Sequence, residues 1–468
     1  MNDIIVIGGG PAGSTSASFL AMKGHRVLLL EKEKFPRDHV GESLLPFCYN
    51  LLGELGVLEQ MKGSFVRKPG VRFIDKDGVS TTTWCFDHVI HDQSSLSFQV
   101  VRREFDQMLL DNARRLGVEV QEETRVNGVD LEREDGRVAV RAVGPDGEQQ
   151  THVARFVLDC SGRSAFLAGS QGVREKYPAL DRTALWTHFG GVELAGGLEQ
   201  GMSLIVYLGG EKKGWMWVFP LGLDEVTVGV VLNNDYIRAQ RAALETAGAE
   251  DWKQALFDQE VGYSPFVGRL LAGTRMVKPL VVEGNYSYYS ETKYGENFAM
   301  VGDAASFIDP IFSSGIYLAM RSARLVSEAV HQKLSDGAGA GSNSLEEAYG
   351  HINGAYKMVY KLIQFFYSTN VINFAQMESM SGLVYEQHKE AMATGHFLLA
   401  GDFFDRYDRY SEVIDSLKRP NLFEAYKKMV LDRSHFQVTS CDEPEEAVFP
   451  GANGKGQVAR EGSQGGKV

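Results

Sequence analysis

Three glycines and one carboxylate carry the first recognisable chemistry of this chain. Gly8-x-Gly10-x-x-Gly13 follows the apolar run Asp3-Ile-Ile-Val-Ile and leads into Pro11 to Ala21, which can continue as a helix. A strand, a glycine turn and a helix N-terminus in that order cradle a dinucleotide. Gly8 permits the tight turn, Gly10 lets the backbone approach a pyrophosphate, and Gly13 lets helix pack closely on strand. Arg26 to Glu31 reads as a second buried strand, and its last residue, Glu31, stands about 20 residues on, where a carboxylate meets ribose hydroxyls. A different chemistry is suggested at Trp215-Met216-Trp217-Val218-Phe219-Pro220. Indoles two apart in a strand share one face. Such a wall can keep an organic substrate away from a bound cofactor while a small oxidant passes. Plain core packing is the ordinary use of two such residues.

These residues need a scaffold, and the pattern supplies an α/β one. Strand, helix and strand through residues 3 to 31 make a βαβ opening. Glu104 to Leu116 has amphipathic helical spacing, and Val118 to Val120, Arg125 to Leu131 and Arg137 to Val143 read as strands around a turn at Asp135-Gly136. Arg155 to Asp159 reads as another buried strand, after which Cys160-Ser-Gly-Arg163 can return the chain to the cofactor. The dinucleotide domain is therefore expected to be discontinuous over residues 1–330, with β-sheet substrate regions inserted at about 65–100 and 175–295. Strands around Leu204 to Leu208, Trp215 to Pro220 and Val226 to Leu232 would roof a substrate cavity. From Ser314 the pattern turns helical, with a C-terminal helical region over 331–436. The glycine-rich, apolar-poor stretch 437–468 reads as a disordered tail.

Composition narrows the function. With 468 residues there is ample core for one large or two ordinary domains. A net charge of −13, from 48 basic and 61 acidic residues, argues against nucleic acid or an anionic membrane as main partner. No apolar run reaches the roughly 18 residues that a membrane span needs. Cys48, Cys85, Cys160 and Cys441 show no Cys-x-x-Cys spacing, and no charged-then-apolar leader precedes Ile4. Neither a disulfide framework nor secretion is expected, and the expected compartment is a reducing cytoplasm.

The fingerprint alone does not separate FAD from NAD. Val301-Gly-Asp-Ala-Ala305 does, because it resembles the second flavin motif of hydroxylase-type flavoproteins. There the aspartate, here Asp303, contacts the ribityl chain, and the following helix points its N-terminus at the flavin. Arg102 similarly matches an arginine that the family places at a strand-to-helix junction near the cofactor. Four segments together resemble the flavin-dependent halogenases, particularly those acting on phenols or pyrroles in natural-product pathways: Gly8 to Gly13, Phe35-Pro-Arg-Asp-His-Val-Gly-Glu-Ser-Leu44, Trp215 to Pro220, and Gly302 to Gly315. The likeness spans about residues 1 to 330.

That resemblance implies an FADH2-dependent enzyme of the hydroxylase-type flavoprotein fold, fed by a separate flavin reductase, that converts chloride or bromide to hypohalous acid. Ala12, Arg37, Ser43 and Pro310 join the glycines, Glu31, Arg102 and Asp303 around the cofactor. Ser314 and Gly315 match the halide site, where helix N–H groups suit an anion, although a plain N-cap would explain them too. Lys68 aligns best with the catalytic lysine that steers or captures the oxidant. Lys62 and Lys76 remain alternatives, and a solvated loop lysine is the ordinary use. Trp215, Trp217 and Pro220 form the distinctive tryptophan motif. The implied substrate is an aromatic small molecule, free or tethered to an acyl or peptidyl carrier protein.

Competing readings fit less well. His88 and His91 lack further ligands at zinc or iron spacing, so no metal is expected. There is no Gly-x-Ser-x-Gly elbow and no P-loop. An aromatic hydroxylase or a flavin-dependent reductase of the same fold is the alternative enzyme, opposed by Trp215 and Trp217. A non-enzymatic flavoprotein binding module is opposed by Lys68, Asp303 and Gly315. Tryptophan-directed relatives place a glutamate just before the Ser-Thr-Gly segment, where this chain has Phe312 before Ser313-Ser314-Gly315. Without that carboxylate to stabilise a cationic ring intermediate, the ring must supply its own electrons, as a phenol or pyrrole does.

Overall fold

The computed structural model describes residues 2–79, 81–178, 180–194, 197–209, 212, 214–284, 287–335, 343–367, 389–417, 441 and 447–450. A five-stranded parallel sheet orders its strands Phe298–Met300, Phe156–Asp159, Ile4–Ile7, Val27–Leu30 and Glu119–Gln121. Its three central strands are buried along their whole length, as expected where both faces are covered. The fingerprint helix Pro11–Met22 covers one face and packs on the long helix Gly315–Ser335. Small residues, Gly13, Ser14, Ser16 and Ala17, allow that approach, and Ser327 Oγ reaches the Ser16 carbonyl at 3.3 Å. The meander Arg125–Asp130, Val138–Val143 and Gln149–Ala154 covers the other face.

A second, eight-stranded sheet stands beside the first. Its main order is Arg275–Met276, Arg182–Gly190, Glu225–Asn233, Gly214–Pro220, Ser203–Gly209, Gly70–Asp75 and Thr81–Cys85, with Val281–Gly284 also paired to Arg182–Gly190. One face packs on the flavoprotein core and the other on the helices Asn234–Thr246, Trp252–Tyr263 and Pro265–Leu270. Alternation along Gly214–Pro220 sends Trp215, Trp217 and Phe219 to the first face, and Met216 and Val218 to the second. The helices Ser344–Tyr367, Lys389–Ala400 and Tyr407–Leu417 follow the long helix. No helix among the described residues is long and apolar enough to cross a membrane.

Two expectations need correction. Cys85 and Cys441, 356 residues apart, are joined in a disulfide with their Cα atoms 5.4 Å apart. The chain beyond 437 is also not wholly a tail. Cys441, Val448 and Phe449 are buried against Val66, Leu96, Leu198 and Met202, and the Arg67 N–H donates to the Val448 carbonyl at 2.7 Å. A segment poor in apolar residues overall holds two well-placed ones, and the disulfide fixes its start. Residues 336–342, 368–388 and 418–436 of the expected helical region and 437–440, 442–446 and 451–468 of the expected tail lie outside the described residues.

Candidate functional site

A cleft of about 430 Å3 opens between the sheets. Gly8, Gly10, Ala12, Glu31, Arg37, Ser43, Arg102, Trp215, Trp217, Asp303, Pro310 and Gly315 line it; Gly13, Lys68, Pro220 and Ser314 lie behind its walls. Gly8 turns at φ +100°, and a Cβ on Gly13 would fall 1.8 Å from the Gly8 carbonyl oxygen, so the turn and helix fit only as glycines. The buried Glu31 carboxylate accepts N–H bonds from Gly9 at 2.6 Å and Glu33 at 2.8 Å, leaving each oxygen a further lone pair toward the cleft.

Two arginines face that turn, and one buried acid holds both. Asp106 is fully buried. It takes Arg102 in a fork at 2.8 and 2.9 Å, and Arg37 Nη1 at 3.0 Å. Burial would raise its pKa, but Arg102 and Arg37 outweigh burial and keep its carboxyl below the usual range. Arg102 also donates to the carbonyls of Val40 and Gly41. Arg37 Nη2 lies 3.3 Å from where a Cβ of Gly10 would sit. A fixed guanidinium over an open glycine turn and a helix N-terminus suits a pyrophosphate.

The opposite wall begins at Asp303, whose carboxyl burial raises to about 6 although Arg163 and Arg102 oppose it. Tyr288 Oη donates to the Asp303 carbonyl at 2.7 Å and fixes the turn. The chain continues through a short turn of helix, Pro310–Phe312, and Ser313, held at φ +55°, into the helix Gly315–Ser335. Ser314 Oγ is buried without a hydrogen-bond partner among the described residues. It therefore does not serve as the side-chain cap that a plain helix start would use, and both the helix N-terminus and this orphan hydroxyl suit an anion. Phe312 is buried edge-on to Phe366 at 5.9 Å.

The roof is aromatic. Trp215 and Trp217 are almost fully buried, and their rings meet at 5.7 Å. Trp217 lies across Gly229 of the neighbouring strand, where a Cβ would fall 2.1 Å from the ring, so the indole fits because that residue is glycine. Gly229 also pairs with Trp186, a third roof indole that sequence reasoning did not single out and whose Nε1 has no partner among the described residues. Beside it, His188 lies between Glu42 and Glu225, with ring nitrogens 2.7 Å from each carboxylate. Burial lowers its pKa, but the two acids outweigh burial and raise it to about 9. Both the close Glu42 contact and its charge favour the protonated ring.

Lys68 occupies a separate, closed nest. Its strand, Val66–Lys68, pairs on one edge with Ser97–Gln99 and is covered near the other by Val448. Its Nζ donates to Ser43 Oγ at 2.9 Å and to the Leu44 carbonyl at 3.1 Å, and lies 5.3 Å from the Phe86 ring centroid. Ser43 Oγ meets Ser203 Oγ at 3.0 Å, and Gln99 donates to Ser203 at 2.8 Å. Ser43 thus faces the cleft on one side and holds the lysine on the other. Burial lowers the amine's pKa to about 7, since the nearby Cys48 thiol is itself pushed up to about 12 and stays neutral. Lys62 instead pairs with Glu59 and Gln93, and Lys76 with Asp77 at the surface. His91 is exposed and His88 pairs loosely with Asp87. Asp87 lies instead with the two disulfide sulfurs.

Residues 1–353 match the FAD binding domain family. A tryptophan 2-halogenase of Chondromyces crocatus is 34% identical over 335 residues, 70% of this chain and 60% of that relative's length. A 1H-pyrrole-2-carbonyl-(peptidyl-carrier protein) chlorinase of Pseudomonas fluorescens is 30% identical over 391 residues, covering 79% of this chain and 84% of the chlorinase. Among solved structures, the myxobacterial chondrochloren halogenase is 30% identical, with a TM-score of 0.71 over 89% of this chain and 96% of its own. A flavin-dependent brominase reaches a TM-score of 0.74 at 25% identity, over 92% of this chain and all of its own.

Proposed function

The chain belongs to the flavin-dependent halogenases, and from that premise we propose that it chlorinates an electron-rich aromatic ring, a phenol or pyrrole, by way of hypohalous acid directed by Lys68. The observation that carries this reading is the buried Lys68 amine, brought to about 7 by burial and held by Ser43, a residue of the flavin cleft. The glycine turn, Glu31, Arg37, Arg102 and Asp303 fit the nucleotide, pyrophosphate and ribityl chain of FAD. Bound and reduced, FAD supplies with dioxygen the two-electron oxidation of chloride, in which one proton is taken up and one water leaves with the hypohalous acid.

The protein's own residues do the rest. Ser314 and the N–H groups at Gly315 hold halide. The indoles of Trp215, Trp217 and Trp186 keep the ring away from the cofactor. The oxidant passes Ser43 to Lys68, where a neutral amine takes up the chlorine of hypohalous acid and releases water. Because Phe312 offers no carboxylate, the substrate's own oxygen or nitrogen must stabilise the cationic ring intermediate. Nothing in the sequence resembles a second nucleotide fingerprint beside Gly8 to Gly13, so on this reading a separate reductase delivers FADH2. The substrate is free or carried as a thioester on an acyl or peptidyl carrier protein, and the site of action is the cytoplasm.

Reaction of the protein with FADH2, dioxygen and chloride against phenols, pyrroles and tryptophan tests this. Phenols or pyrroles should be chlorinated, and Lys68→Ala should stop product while flavin oxidation and free hypohalite continue. Product per flavin oxidised should rise as pH rises through about 7, where the amine loses its proton. Efficient tryptophan chlorination with inert phenols and pyrroles overturns the substrate class.

A further inference from the structure

Trp215 does not stand in the roof by packing alone. Its indole Nε1 donates to Tyr367 Oη at 2.7 Å, and Tyr367 Oη donates to Asp309 Oδ2 at 3.0 Å. The other oxygen, Asp309 Oδ1, accepts the Ile311 N–H at 3.2 Å and so caps the short turn Pro310–Phe312. Arg182 covers the Tyr367 ring, its Cζ 3.4 Å from the centroid, and its charge opposes the burial that raises the Asp309 carboxyl. Four distant parts of the chain meet here: a central strand, the cleft loop, the last turn of the helix Ser344–Tyr367 and the start of the strand Arg182–Gly190.

This column runs directly behind two walls of the cleft. Trp215 lines the roof, and Pro310, Ser313 and Gly315, which follow Asp309, line the wall at the expected halide position. An apolar contact could fill the space as well, but it slides. A hydrogen-bonded chain from indole to phenol to carboxylate fixes the distance between the walls, because each buried member left unpaired would lose its desolvation compensation.

We propose that Tyr367 is a positioning residue that ties Trp215 to the halide loop through Asp309, so that oxidant leaving the loop emerges at a fixed place relative to the indole wall. This rests on the halogenase reading for its consequence, though the tie itself stands without it. Looseness of about 1 Å in a reacting geometry can cost up to 10²-fold. Loss of one hydroxyl from the tie is expected to reduce the halogenated fraction by roughly 10-fold, with free hypohalous acid making up the difference.

The test uses the full chain with Tyr367→Phe, which removes only the hydroxyl. In the FAD-free protein, 15N-indole spectra resolve the five tryptophans, and Trp215→Phe assigns one signal. That signal should lie downfield in the parent and move upfield in Tyr367→Phe. With FADH2, dioxygen and chloride, product from phenol and pyrrole probes and hypohalous acid caught by a β-diketone trap are counted per flavin oxidised. The ratio of product to trapped oxidant should fall roughly 10-fold in the variant. An unmoved Trp215 signal overturns the tie whatever the chemistry, and a moved signal with an unchanged ratio overturns its positioning role. A parent that yields neither product nor trapped oxidant defeats the halogenase reading instead, and the indole signal still decides the tie.

Discussion

The flavin cleft and the lysine nest meet at Ser43 but are built on opposite principles. The cleft is open and charged. Its geometry comes from backbone turns that only glycine can make and from guanidinium groups locked onto Asp106. Burial there is countered by charge: Asp303 is raised only to about 6 because Arg163 and Arg102 oppose the shift. The nest is closed and almost chargeless. Lys68, Ser43, Ser203 and Gln99 are buried together, and among the described residues no carboxylate answers the amine, so desolvation carries its pKa down to about 7. The cleft that fits an anionic cofactor keeps its charges, whereas the nest around the Lys68 amine excludes opposing ones.

If that contrast is right, damage to the cleft should cost flavin affinity first. The largest effect is expected from Gly10→Val. Its branched side chain would enter the space 3.3 Å from Arg37 Nη2 that a pyrophosphate needs. FAD affinity should fall roughly 1,000-fold, about 4 kcal/mol, in a flavin-fluorescence titration, with the fold intact. Binding within a few-fold of the parent would show that the turn is not the cradle.

Asp106→Asn should follow. It leaves the buried Arg102 and the half-buried Arg37 around a neutral amide, and breaking the buried Arg102 pair costs about 3 kcal/mol of stability. FAD should weaken roughly 10-fold as the arginines lose register. Urea unfolding and the same titration measure the two effects, and unchanged affinity would mean that Arg102 is positioned by the Val40 and Gly41 carbonyls, and Arg37 by Glu33, without Asp106.

The contrast also has a pH signature, smaller again. His188, on the cleft side, has a folded pKa of about 9 against an ordinary 6.5, so its stabilisation is complete below 6.5 and lost as pH rises through 9. At 1.36 kcal/mol per unit, that is at most about 3 kcal/mol, and relaxation will reduce it to about 2. Lys68 acts in the other direction. Its folded pKa of about 7 lies below the ordinary 10.5, so its burial becomes less costly as pH rises from 7 to 10.5. His188→Gln should therefore abolish an alkaline loss of stability, and Lys68→Met an alkaline gain, when urea midpoints are compared at pH 6.5 and 9. Slopes of the same sign in both variants would contradict the contrast.

The two regions also differ in how far a sequence reveals them. Gly8, Gly10, Gly13 and Glu31 stand close together and Asp303 in a short motif, because a βα turn is local and its glycines have few substitutes. The residues that support them are brought in by register. Trp186 reaches the roof only because Arg182–Gly190 pairs with the strand carrying Gly229, and a glycine between valines was the one available signal. Asp106 looks like any acid on an amphipathic helix, and neither the His188 ion pairs nor the Tyr367 tie has a characteristic spacing. In the nest, Ser43, Lys68, Gln99, Ser203 and Val448 come from five separate segments. A lysine before a glycine and a strand pointed to Lys68, but its burial could not be read. Nor could the pairing of Cys85 with Cys441, since no local spacing relates them.

That disulfide gives the smallest expected effect and the finest test of the contrast. Cys441 anchors the segment whose Val448 carbonyl accepts the Arg67 N–H, one residue from Lys68, and Cys85 precedes Phe86, which faces the Lys68 amine. A cross-link closing a long loop is worth about 2–4 kcal/mol when whole-chain unfolding is the reference. Here the ring spans a sequence separation of 356 in a chain of 468 residues, and the residues within it are held by their own cores, so reduction should mainly free the segment around Val448. Local opening of that kind draws on few contacts and need not move the global transition. Cys85→Ser should therefore leave FAD affinity unchanged and lower halogenated product per flavin oxidised by about 2-fold, as water gains access to the amine and the desolvation that sets its pKa weakens. Thiol alkylation of the denatured chain gives the control: two reactive thiols, Cys48 and Cys160, before reduction and four after it. Four thiols in protein taken directly from a reducing cell, with full product yield, would show that packing of Val448 and Phe449 keeps the nest dry without the bond. A loss of FAD affinity in Cys85→Ser would show that cleft and nest are not the separate constructions that their charges suggest.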